Sequence, residues 1–219
     1  MSNNREKIVV LGVGGHARVV LDILEARAAF EIVGLITPEP APGLERYPVL
    51  GGDEILPQLL GQGIRRVAIG VGGSRSNLKR RELFERVKAL GFEAVKAIHP
   101  SAVLCSGVTI GEGSVICAGV TLAPEVSLGR NVIVYTGSTV DHQTIVEDHA
   151  LISAGVAVGA QVKIGSGSLS AIGSVIVSRI TVGRGALIGA GAVVIRDVPD
   201  GATVFGVPAR PVEAEPGRW

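Results

Sequence analysis

Aromatic side chains are nearly missing from this 219-residue chain: four Phe, two Tyr and one Trp make up 3% of it. Phe30, Tyr47, Phe84 and Phe92 precede residue 93, and Phe205 and Trp219 lie near the end, so Tyr135 alone serves the stretch from 93 to 204. A long aliphatic stretch with one ring is not the core of an ordinary globular domain. It implies a repeat in which each position accepts one size of side chain. Cysteine is as scarce. Cys105 and Cys117 form no metal or redox motif and are too few for a disulfide framework, so they read as buried thiols. Neither sign of charge dominates, with 21 Lys+Arg against 20 Asp+Glu. No basic run is present either, which argues against nucleic acid as a partner. The apolar run Ile8 to Val13 is too short for a signal or a membrane span, so no membrane contact and a cytoplasmic location are expected.

Glycine and aliphatics are abundant. The 31 glycines are about twice the ordinary ~7% usage. From Ile98 onward every sixth residue is Val, Ile or Leu, through Leu104, Ile110, Ile116 and onward to Ile188 and Val194. Ser170 is the lone exception among seventeen positions, and no insertion breaks the count. Four residues after each comes a second restricted set, nearly all Ala, Ser, Thr or Val: Ser114, Val120, Ser138, Thr144 and Ala150 are examples. A helix of period 3.6 cannot keep every sixth residue on one face. A prism of short parallel strands can, with the aliphatic inward and the small residue near each bend. At three hexads per turn and ~4.8 Å per turn the stack is roughly 27 Å tall. So thin an interior has no room for rings. The hydroxyl of Ser170 is expected to bond a backbone carbonyl.

The N-terminal half reads as a Rossmann-like α/β unit. Lys7–Leu11, Ile32–Ile36 and Arg66–Val71 are expected strands. Gly15 to Arg27 and Ser76 to Leu90 are expected helices, and Asp53 is placed to cap a short helix through Leu60. Phe92–Ile98 is expected to return as a strand, with the junction at His99-Pro100, giving domains of residues 1–97 and 98–219. The turn Gly12-Val13-Gly14-Gly15-His16 lets backbone N–H groups approach a phosphate at a helix N-terminus. The second strand ends Leu35-Ile36-Thr37-Pro38 without the acidic residue that grips a ribose, so NAD is disfavoured.

The repeat over residues 98 to about 210, including its ending Gly206-Val207-Pro208-Ala209-Arg210, resembles the hexapeptide-repeat acyltransferases. Joined to the glycine turn, nearly the whole chain is similar to the bacterial sugar acetyltransferases of the sialic acid O-acetyltransferase and nucleotide-amino-sugar N-acetyltransferase family. The resemblance implies an α/β N-terminal Rossmann-like domain followed by a left-handed parallel β-helix with a C-terminal tail. It implies a homotrimer using acetyl-CoA, with no metal, acting on the 4-amino group of a GDP- or UDP-linked 4-amino-4,6-dideoxy sugar. Relatives using UDP-sugars have acidic residues where Ile36 and Thr37 stand, which favours a GDP-sugar such as GDP-perosamine. Carried over, the substrate contacts are Gly14, Gly15, His16, Ile36, Thr37 and Gly72, with His16 meeting a phosphate or the sugar. The acetyl-CoA contacts are Leu151, Ala160, Ile172 and Ala190.

Acetyl transfer to an amine needs a base for the amine proton and donors for the oxyanion. The segment Ser138-Thr139-Val140-Asp141-His142-Gln143 resembles the one that carries the family's catalytic histidine, which makes His142 the base. Relatives place a carboxylate directly after it. Here Gln143 stands there, so Gln143, Asp141 or a more distant carboxylate orients the ring. His99 is expected to be a structural cap at the junction, and His149 a solvated or interface residue. Other readings are sugar O-acetylation, a γ-type carbonic anhydrase, which needs three zinc histidines, and a non-catalytic nucleotide-sugar sensor.

Overall fold

A computed structural model describes residues 5–73 and 76–212. The end of the expected tail, Trp219 included, lies outside them.

The first part of the chain forms β1 (Glu6–Leu11), α1 (Gly15–Arg27), β2 (Phe30–Ile36), β3 (Val49–Gly51), α2 (Leu56–Gly61), β4 (Arg66–Ile69), α3 (Leu78–Ala89) and β5 (Glu93–Ala94). These strands make one parallel sheet in the order β3-β2-β1-β4-β5. The central strand is buried on both faces, which is why Ile8 to Leu11 is a continuous apolar run. Helix α1 turns Ala17, Val20, Leu21 and Leu24 inward and closes on Ala28 in the left-handed region.

Three local expectations change. Asp53 does not cap α2. It opens a short 3₁₀ turn and its carboxylate reaches Arg86 at 3.0 Å, while α2 starts with Pro57 in its first turn, where no N–H donor is needed. The expected strand Phe92–Ile98 is divided, because the chain changes sheets. Glu93–Ala94 completes the α/β sheet, and Ala97–Ile98 pairs with Val115–Ile116 in the next one. The edge strand β3, inside the proline-rich loop, has too short a pattern to be read in advance.

From Ala97 the chain is a left-handed parallel β-helix. Among the described residues seventeen two-residue strands each end on the aliphatic hexad position, from Ala97–Ile98 to Val193–Val194. Strands eighteen residues apart pair in parallel, as Ile133 does with Val115 and Leu151, building three stacked sheets. We number the faces in chain order: face one holds Ile133–Val134, face two Thr139–Val140, face three Ile145–Val146. Inward residues are buried from Ile116 onward. Leu104, in the first turn, is 39% exposed because no rung lies beneath it.

The small residues near the bends have a specific use. Ser114, Ser138 and Thr144 donate to the carbonyls of Gly129, Ser153 and Gly159, fifteen residues on. The same hydroxyls accept N–H bonds from Val132, Val156 and Val162, eighteen residues on. Ser170 differs from the expectation: its buried hydroxyl has no partner. It sits on a strand, where neighbouring carbonyls are already spent on the ladder between turns.

Face one is apolar on its outer side too. Val115, Ile133, Leu151 and Leu169 point outward yet are buried. The α/β domain covers this side: Phe84 of α3 stacks edge-on against His149 at 5.6 Å, and Arg27 donates to the Ile98 carbonyl at 2.7 Å. Burying a Leu or Ile side chain stabilises by ~1.5–3 kcal/mol, so several under one domain hold the two parts as one body. His99 caps the junction as expected, accepting the Ser101 N–H on Nδ1 at 3.0 Å.

The hydroxyl pattern makes a prediction. Ser170→Ala is expected to leave stability unchanged or raise it. Ser138→Ala, which strands a buried N–H, is expected to cost ~1–3 kcal/mol. Denaturant melts of both variants test this.

Candidate functional site

The α/β sheet reverses its strand order at β1, and ligands of open α/β sheets bind beyond the strand ends at such a point. A cleft of about 780 Å³ opens there. Its walls are the segments after β1 (Leu11 to His16), after β2 (Ile36 to Glu39), after β3 (Gly52 to Glu54) and after β4 (Gly70 to Gly73). Lys79, Leu83 and Tyr135 complete it. All six expected substrate residues, Gly14, Gly15, His16, Ile36, Thr37 and Gly72, line this one space.

The glycines divide by what the chain itself requires. Gly12 has φ +95°, and a Cβ there would stand 2.9 Å from Val71, so the turn needs it. A Cβ on Gly72 would stand 2.7 Å from the Tyr135 hydroxyl and 2.9 Å from the His16 Cβ. Gly14 and Gly15 are another matter. Gly14 has φ −72°, and a Cβ on either residue would meet nothing within 4 Å. Their bareness keeps the α1 N-terminus open to the cleft, where its N–H groups favour an anion.

His16 is buried against Tyr135, ring centroids 5.4 Å apart and edge to face. Burial, reinforced by the nearby Arg80 charge, lowers its pKa to about 3. His16 is therefore a neutral wall of the cleft and brings no positive charge to it. Tyr135 is the one described β-helix residue in the cleft lining. Burial raises the pKa of its phenol, which the Gly73 backbone holds by a hydrogen bond. Its outward direction was legible from its place after inward Val134; that it meets His16 was not.

Sequence reasoning missed three carboxylates. Glu39, Asp53 and Glu54 line the cleft. Two have partners, since Asp53 bonds Arg86 and Glu54 accepts the Gly52 N–H at 2.9 Å. Glu39 comes into place because its N–H bonds the Thr37 hydroxyl at 3.0 Å, turning the chain just past β2. A search for acidic residues beyond the strand end, and not only at it, could have found it.

His142 stands exposed at the corner between faces two and three. Its own N–H bonds the Asp141 carboxylate at 2.7 Å, which stiffens the bend. Gln143 does not orient the ring. Its amide nitrogen donates to Glu125 (2.8 Å) and its oxygen accepts from Gln161 (2.9 Å), in a ladder that continues to Arg179. The regular eighteen-residue stacking puts these corner residues directly above one another, so Gln143 bonds along the edge. Ala160 lies one turn beyond His142 on the same corner. Its N–H is taken by the Ser178 hydroxyl at 3.1 Å.

Ile172, 59% exposed, and Ala190 occupy the corner between faces one and two, the corner that also carries Tyr135. Leu151 does not belong with them. It is 2% exposed on the covered side of face one, near Gly73, so its side chain is closed to acetyl-CoA. His149 is not solvated either. It is 4% exposed between the domains, with Nδ1 3.0 Å from the Asn131 amide nitrogen and Nε2 3.3 Å from Glu85. Burial holds its pKa below the ordinary value. Within one chain a whole strand of face two separates Tyr135 from His142, and the cleft and His142 are not brought together. Among the described residues of one chain no group of three His, Cys, Asp or Glu is placed to hold a metal ion. Nor is any described helix long and apolar enough to cross a membrane.

A Rossmann-like domain with an open glycine turn, set on a hexapeptide β-helix, defines the class of hexapeptide-repeat acyltransferases. Residues 7–87 match the profile of the PglD N-terminal domain. No curated protein sequence matches the chain significantly. Solved structures do. A histidine-to-alanine variant of GDP-perosamine N-acetyltransferase from Caulobacter crescentus, in complex with CoA and GDP-perosamine, is 32% identical with a TM-score of 0.89, over 95% of this chain and 97% of that one. The acetyltransferase domain of PglB from Neisseria gonorrhoeae, in complex with acetyl coenzyme A, is 33% identical with a TM-score of 0.88, over 95% of this chain and all of that one (100%). WeeI from Acinetobacter baumannii, at 23% identity and a TM-score of 0.67, shares the fold over 94% of this chain and 100% of its own. The chain belongs to the sugar N-acetyltransferase family and is an acyltransferase.

Two predictions follow from the cleft. Gly15→Ala is expected to leave the melting temperature unchanged or higher while weakening nucleotide binding, whereas Gly12→Ala is expected to lower the melting temperature. Thermal melts beside calorimetric titration with GDP and UDP separate the two. The second concerns pH. With His16 at about 3 when folded and near 6.5 when unfolded, the unfolded chain binds more protons between those values. Stability is full above 6.5 and is lost as pH falls, by up to ~1.4 kcal/mol per unit. The lowered pKa of His149 acts in the same direction. Urea melts from pH 7 to 5 should show this slope, and His16→Phe should flatten it.

Proposed function

We propose that the chain is a homotrimeric, cytoplasmic N-acetyltransferase. It transfers the acetyl group of acetyl-CoA to the 4-amino group of a GDP- or UDP-linked 4-amino-4,6-dideoxy sugar. The observation that carries this reading is the pairing of two features: a cleft whose Gly14 and Gly15 are bare for no internal reason, and an exposed histidine on a β-helix corner. The Caulobacter relative, holding CoA and GDP-perosamine together, supports it.

In this scheme the nucleotide lies over the α1 N-terminus, where backbone N–H groups and the helix dipole meet the diphosphate. The sugar points past Tyr135. The neutral sugar amine attacks the thioester carbonyl; the C–N bond forms, the C–S bond breaks and CoA leaves as its thiol. His142 takes the amine proton and returns it to the sulfur. Backbone N–H groups of the helix corners steady the oxyanion. Since the cleft and His142 lie on different corners of one chain, the complete site is formed between copies, the cleft from one and His142 from its neighbour. Ala160 would then lie beside acetyl-CoA on the base's corner, with Ile172 and Ala190 contributing from the other corner.

His142→Asn is expected to lower kcat by ~10²–10⁴ while Kd for nucleotide and CoA is retained. A variant with full turnover would remove His142 as the base.

A further inference from the structure

Arg80, near the start of α3, is wholly buried. Its guanidinium donates to three backbone carbonyls: Ile69 at the end of β4 and Val71 just after it, both at 2.7 Å, and Gly113 of the β-helix at 2.8 Å. Its Nε has no partner. Among the described residues no carboxylate pairs with it. The groups that share its field are the Tyr135 phenol, the Cys117 thiol and the His16 ring. A buried cation without an anion is costly, and three carbonyl dipoles offset only part of that. Burial lowers its pKa only to about 10, so it stays charged at neutral pH. Val71, whose carbonyl it holds, is part of the cleft wall. The charge therefore stands one peptide unit behind the Gly70 to Gly73 segment, shielded from salt and water.

We propose that Arg80 is a positioning residue of the cleft, acting from behind the Gly70 to Gly73 wall as the standing counter-charge for the diphosphate of the bound nucleotide. It touches the wall and not the ligand. This rests on the nucleotide-sugar reading of the cleft. It differs from a simple staple between the domains, which would hold the same carbonyls with no regard to ligand charge.

The test is calorimetric titration of the full chain with GDP and GMP, with CoA as a control. Arg80→Gln is expected to weaken GDP by about tenfold and GMP by clearly less, since the loss grows with phosphate charge, and to leave CoA unchanged. Arg80→Lys supplies a readout that a staple would not move. A buried amine sheds its proton readily. GDP affinity in this variant should therefore fall as pH rises from 7 to 8.5, while the wild type stays level. None of the groups facing Arg80 interferes in that window: the Cys117 thiol is pushed up to about 12, the Tyr135 phenol is raised, and His16 is at about 3. Where Arg80→Gln fails to fold, the pH profile of Arg80→Lys decides. Equal losses for GDP and GMP, or a loss in Arg80→Lys that is the same at every pH, overturn the role of Arg80. A wild-type chain that binds none of GDP, UDP or dTDP overturns the nucleotide reading instead.

Discussion

Everything in this molecule depends on the six-residue register of the β-helix. An aliphatic side chain at every sixth residue except Ser170, with no insertion over seventeen strands, fills a thin prism and stacks each bend above the one eighteen residues before. Because the register never slips, residues far apart in sequence share an edge. His142 and Ala160 stand on one line, as do Glu125, Gln143, Gln161 and Arg179. Ile172 and Ala190 share another, next to the line of Tyr135 on the same corner. The prism's chemistry is therefore a matter of edges.

The α/β domain adds the second constraint. It sits on the outer side of face one, where Val115, Ile133, Leu151 and Leu169 give it an apolar seat. Polar groups then set the fit. Asn77 donates to the His149 carbonyl, and Arg80 grips carbonyls from both parts. This docking brings Tyr135 against His16 and makes a β-helix residue part of the α/β cleft. The same docking buries the side chains of Leu151 and His149.

The legible and the hidden parts of the sequence divide along these lines. The seventeen two-residue β-helix strands were readable, because a local spacing determines them; Thr203–Phe205 and Arg210–Pro211, which extend face one outside that spacing, were not. The glycine turn after β1 was readable too, and all six residues assigned around it meet in one cleft. What could not be read depends on which face the α/β domain covers. Leu151 and His149 have the same local context as exposed rungs, and nothing near them in sequence marks the buried side. Glu39 escaped because its position depends on a side-chain bond from Thr37. The role of Gln143 escaped because its partners are eighteen residues away on either side.

The central claim is that an open α/β cleft presents a sugar amine to acetyl-CoA held on β-helix edges. Its most direct test is thiol release from acetyl-CoA, followed with a panel of UDP-, GDP- and dTDP-linked 4-amino sugars and their 4-hydroxy counterparts. The account predicts rapid release with an amino sugar carrying one of these nucleotides, an amide-linked acetyl group in the product, and no release with the matching hydroxy sugar. Release confined to hydroxy sugars, or none with any nucleotide-linked amine, would contradict it.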